Sequence, residues 1–135
     1  MKARTGYFVA GILLLAGLFS YVGVSFGLDR PQQNASITGV STITLGTVSN
    51  NSFLVSWTVN RNATGYDLYR SISTTSTPQF GSTPAFSGSV TKYSQTFTKA
   101  DSGKYYSYKV RGWSRTSTGV KGYSQYSAVV TKKIP

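Results

Sequence analysis

Tyr105-Tyr106-Ser107-Tyr108-Lys109-Val110-Arg111-Gly112-Trp113 is the stretch on which the fold turns. Aromatic and branched side chains recur among polar ones without a helical period, which is the pattern of a half-buried β-strand. Turn chemistry brackets it, with Ala100-Asp101-Ser102-Gly103 before and Thr116-Ser117-Thr118-Gly119 after.

Working outward, the same two-residue period returns. Ser52–Val59 predicts a strand with Phe53, Val55, Trp57 and Val59 pointing inward, and Asn60 to Gly65 predicts the turn that follows. Tyr66–Ile72, Lys92–Thr98 and Tyr123–Lys132 read as further strands. A first strand is expected over Ile37–Leu45, with Ile37, Gly39 and Ser41 on one side and Val40 and Thr42 on the other. Ser73 to Ser89 is rich in Ser, Thr, Gly and Pro, and reads as a loop or irregular edge strand with Phe80 and Phe86 as pegs into the core. The expected core includes Val55, Trp57, Leu68, Tyr106 and Val110. About seven short strands at this spacing predict an all-β chain: a single seven-stranded antiparallel sandwich over residues 37–135. One N-terminal hydrophobic α-helix is expected ahead of it.

That helix comes from the other end of the chain. Met1-Lys2-Ala3-Arg4 is followed by Thr5 to Leu28 without a charge. Tyr7, Phe8, Ile12, Leu13, Leu14, Leu15, Leu18, Phe19 and Val22 make its apolar body. Three fates are open for residues 1–28. As a membrane anchor, residues 7–28 would span roughly 33 Å as a helix, close to the hydrocarbon thickness. Lys2 and Arg4 would then hold the N-terminus inside and leave the domain outside. As a cleaved signal, Ser25 and Gly27 are the small residues that cleavage before Leu28 requires. As a short prepilin-type leader, Lys2 to Gly6 would be removed and Tyr7 would become the mature start. Gly11 stands where such helices usually carry Glu. Residues 29–36, with Pro31, Gln32 and Gln33, read as a polar linker.

Composition narrows the function classes. The 135 residues contain no His, no Cys and no Glu, and the only side-chain carboxylates are Asp29, Asp67 and Asp101. General acid–base chemistry and metal ligation draw mainly on those missing types, so no enzyme, cofactor or metal is expected. Without Cys there is no disulfide framework, and the fold must hold by packing and strand pairing. Fourteen Lys and Arg give a formal charge of +11, but they are scattered, with only Lys132 and Lys133 adjacent. No run resembles a nucleic-acid-binding arm, so nucleic acid is not an expected partner.

Several segments together resemble the fibronectin type III family. Val55-Ser56-Trp57 is similar to its Trp-bearing second strand, and Gly65-Tyr66-Asp67-Leu68-Tyr69 to its third. Tyr106-Ser107-Tyr108-Lys109-Val110-Arg111-Gly112 looks like the sixth strand, whose first Tyr forms the tyrosine corner. Gly122 to Thr131 looks like the last. Ala100 and Ser102 stand where the family usually has Leu and Pro. The resemblance implies adhesion, spacing or protein recognition without catalysis. The integrin-binding tripeptide Arg-Gly-Asp is absent.

Of Tyr105, Tyr108, Trp113, Tyr123 and Tyr126, strand alternation is expected to expose some beside Lys109, Arg111 and Arg115. Tyr105, Lys109, Arg111 and Trp113, with Arg115, Tyr123 and Tyr126, are the candidate partner surface. Exposed rings beside cations suit glycan faces, protein partners or stacked bases. The plainer alternative is that half the rings fill the core and the rest pair across strands. Asn34, Asn50 and Asn62 each begin an Asn-x-Ser/Thr sequon.

The expected function is a non-enzymatic structural or adhesive module on the outside of a membrane. It would be a subunit of a surface assembly such as a cell envelope or a membrane-containing virion. Its expected partners are proteins of that assembly, the membrane through the N-terminal helix, and an anionic glycan or lipid. A pilin-like filament subunit and a secreted glycan- or polyanion-binding module are the alternatives.

Overall fold

The computed structural model describes residues 37–135. The apolar segment, its three readings, the linker and the sequon at Asn34 lie outside the described residues. Among the described residues eight strands form, in chain order β1 (Ile43–Leu45), β2 (Ser52–Trp57), β3 (Gly65–Ser73), β4 (Phe86–Gly88), β5 (Lys92–Thr96), β6 (Tyr105–Arg115), β7 (Lys121–Tyr123) and β8 (Val130–Lys133). One sheet runs β1-β2-β5, and the other runs β4-β3-β6-β7 with β8 also paired to β6. Every pairing is antiparallel.

The inner faces of the two sheets share one core. Phe53 on β2 meets Tyr106 and Tyr108 on β6 edge-on, each with ring centroids 6.2 Å apart. Trp57 lies against Tyr66 and Phe86 at 6.0 and 6.2 Å. Val55, Trp57, Leu68, Tyr106 and Val110 are all buried in this cluster. Tyr108 is fully buried too, and so does not belong to the surface set. Its phenol is pushed up chiefly by that burial. It donates to Gln95 Oε1 at 2.9 Å, and Arg70 Nη1 donates to the same oxygen at 2.8 Å. One glutamine on β5 therefore satisfies two polar groups between the layers.

Four expectations need correction. The first strand covers only Ile43–Leu45, because Gly39 takes φ +82 and breaks the extended run, leaving Thr38 as a lone bridge to Arg61. Val59 does not point inward; it is 72 % exposed. Strand β2 ends at Trp57, and the end of the sandwich is closed by Asn60. Buried Asn60 hydrogen-bonds through its side chain to Ser41 and to the Gly39 carbonyl, and its N–H donates to the Tyr66 hydroxyl at 2.9 Å. Phe86 packs on the core from β4, but Phe80 is not among the side chains packed there. Finally, the expected last strand divides into β7 and β8, which raises the count from seven to eight.

Candidate functional site

Side chains that alternate away from the core on β3 and β6 meet on the outer face of the larger sheet. The register sets Gly65 opposite Trp113, Asp67 opposite Arg111 and Tyr69 opposite Lys109. Lys109 Nζ lies 4.1 Å from the Tyr126 ring centroid and 4.8 Å from that of Phe80. The Arg111 guanidinium lies 3.7 Å from the Tyr123 centroid and 4.9 Å from Tyr126. Lys121 Nζ is 4.2 Å from the Trp113 centroid. Cations and rings thus alternate up the face, each cation attracted by the electron-rich ring faces beside it.

The segment that supplies two of those rings is Tyr123-Ser124-Gln125-Tyr126-Ser127. It repeats aromatic-Ser at an interval of three residues, the period of a polyproline II chain. The repeat puts both rings on one side and both serines against β6. Gly112 N–H donates to Ser124 Oγ at 2.9 Å, and Val110 N–H to Ser127 Oγ at 3.0 Å. The serine N–H groups return bonds to the carbonyls of Gly112 and Val110. Hydroxyls here stand in for a strand ladder, which is why one expected strand becomes two.

Asp67 is the carboxylate at the centre of the face, its side chain only 5 % exposed. Ser87 Oγ donates to it at 2.6 Å, while Lys121 and Arg111 approach to 3.7 and 3.9 Å. Two cations share one carboxylate, so positive charge is left over. Arg111 also donates to the Tyr69 hydroxyl at 3.0 Å. The Tyr69 phenol is raised, first by burial and then by its hydrogen bond with Tyr126, against the pull of Arg111. The second described carboxylate, Asp101, lies elsewhere and serves a 3-10 turn at Lys99–Asp101. Among the described residues, no three carboxylate, His or Cys side chains gather where a metal could be held.

The structure brings together Lys109, Arg111, Tyr123 and Tyr126, and beside them Trp113 with Arg115 at 5.5 Å. Tyr105 stands apart. It pairs with Lys133 at the far end of β6, where Lys133 Nζ lies 5.5 Å from its ring. Sequence reasoning missed Asp67, Tyr69, Phe80 and Lys121 as members of this face. The strand parity of Asp67 and Tyr69 carried the signal, since both fall opposite the cations of β6. Phe80 gave none, because it arrives from a loop. The Tyr106 phenol is raised by burial and then by the charge and hydrogen bond of the Asp101 side chain.

By sequence, no known family profile matches the chain, and no curated protein does. Solved structures do. The chain is similar to "FN3tt mut" with a TM-score of 0.51 at 12 % identity, over 73 % of this chain and 97 % of that one. It is also similar to an Fn3-like protein from Clostridium thermocellum, with a TM-score of 0.50 at 21 % identity, over 76 % and 96 %. The fold is fibronectin type III-like. In this type III-like frame Trp57 falls on the second strand and Tyr106 near the start of the sixth main strand, as the sequence resemblance implies. Identities this low speak for the fold alone.

Proposed function

We propose that this chain is a non-enzymatic structural and adhesive module, held outside a membrane by its N-terminal segment as a subunit of a surface assembly. The observation that carries the reading is the outer face of the larger sheet. Its cations lie against rings across paired strands, and the two described carboxylates, Asp67 and Asp101, hold structure. Recognition by a preformed surface asks for that arrangement, and acid–base catalysis asks for a different one. The uncharged run from Thr5 to Leu28 supports anchorage, and the basic N-terminus supports an outward-facing domain.

A pilin-like filament subunit is the second reading, favoured by Gly6 at the start of the apolar run. Fractionation followed by N-terminal sequencing of the native protein tests both. A membrane-bound chain beginning at Met1 is the expected result. A filament beginning at Tyr7 would establish the second reading, and a released chain beginning at Leu28 would overturn anchorage.

A further inference from the structure

We infer that the outer face of the larger sheet binds an acidic polysaccharide, its cations meeting the sugar's carboxylate or sulfate groups and its rings the sugar faces. The inference rests on the extracytoplasmic reading above and names the ligand class of that same face.

Charge sets the ligand's sign. Lys109, Arg111, Arg115 and Lys121 lie on this face against the single carboxylate of Asp67, which is almost wholly buried and already accepts from Ser87. Four cations against one carboxylate leave a surplus of three. Spacing sets the ligand's form. Lys109, Arg111 and Arg115 share one strand and one face, so the positive groups follow a line, with alternate residues about 7 Å apart along an extended chain. A linear polymer with charge at intervals fits a line better than a single small anion does. Preorganisation adds to this: the Arg111 guanidinium stacks 3.7 Å from the Tyr123 centroid, so less side-chain freedom is lost when an anion binds. The exposed rings select sugar over a plain charged surface. Tyr123 is 45 % exposed and Tyr126 38 %, and each offers an apolar ring with a hydroxyl at its rim.

The test is binding of the purified full chain to three immobilised polymers: polygalacturonate, dextran sulfate and uncharged dextran. Binding to one or both acidic polymers and none to dextran is expected, weakening as salt is raised. The double variant Lys109→Gln, Lys121→Gln should lose about tenfold in affinity, since each exposed ion contact contributes a few-fold. Lys92→Gln, on the other sheet, should lose little, and thermal melting of each variant checks that it folds. Arg115→Gln provides a second arm if the double variant melts early, and should lose a few-fold. No binding at low salt overturns the inference, as does an equal loss in Lys92→Gln, which would mean diffuse charge. Equal or tighter binding to an oligonucleotide, to an acidic peptide or to anionic phosphatidylglycerol vesicles also overturns it. Protease digestion of intact cells reports the location of the domain separately, so a failed location and a failed ligand are told apart.

Discussion

The Trp113 ring occupies the space that a side chain on Gly65 would need. The two residues are register partners on β6 and β3, and a Cβ added to Gly65 would fall inside van der Waals contact with the indole. Gly65 therefore lets a large ring lie down across the neighbouring strand, where Lys121 caps it. The expected consequence of Gly65→Ala is a loss of about 1–3 kcal/mol in urea unfolding, the usual range for overpacking. The Trp113 emission should also shift as the ring is pushed outward.

Arg111 and Tyr123 should be energetically coupled. Their 3.7 Å stacking predicts a favourable interaction of about 0.5–2 kcal/mol in a double-mutant cycle of Arg111→Ala and Tyr123→Ala. Arg111→Ala alone should cost more than Tyr123→Ala, because it also removes a cation from buried Asp67 and a donor from the Tyr69 hydroxyl. A coupling near zero would mean that the stacking is incidental.

The two serines of the Tyr123–Ser127 repeat predict an ordered pair of effects. Each hydroxyl accepts a backbone N–H of β6, but Ser127 is buried and Ser124 is half-buried. Ser127→Ala leaves an amide stranded away from water and should cost about 1–3 kcal/mol. Ser124→Ala should cost less, because water reaches the vacated position. Chemical denaturation of both variants checks the order.

Much of this was legible in the residues themselves. The inward set of β2 and β6 follows from strict alternation, and the Trp, Tyr and Ser positions carried the type III resemblance. What the period could not show was where a strand stops. Val59 continues the apolar alternation of Phe53, Val55 and Trp57, yet Asn60 closes that end with three hydrogen bonds. A polar residue won the buried place because its side-chain amide bonds both the Gly39 carbonyl and the Ser41 hydroxyl, which Val cannot. The last strand misled for a related reason: serine hydroxyls replaced the ladder between Tyr123 and Val130. The face was half legible. Lys109, Arg111, Arg115 and the rings of Tyr123 and Tyr126 could be named from the residues, but Asp67 and Tyr69 needed the β3–β6 register, Lys121 the β6–β7 register, and Phe80 the loop.

Asp101 predicts the acid limb of stability. Its carboxylate accepts the Thr98 N–H at 2.9 Å and an ion pair from Lys104 at 3.0 Å, which lower it from an ordinary 3.8 to about 2. Because the folded value is depressed, the unfolded chain takes the proton first on acidification. The stability this group contributes is complete above about pH 4 and is lost as pH falls toward 2. Melting temperature measured across that window should fall for the parent chain and fall less steeply for Asp101→Asn.

The most direct test of the account is whether this domain faces outward. Intact cells producing the full chain should be treated with a membrane-impermeant amine reagent, and labelling followed at Lys92 and Lys99, both exposed in the fold. Both lysines should label before the cells are opened, to the same extent as afterwards. Labelling that appears only after lysis would contradict it.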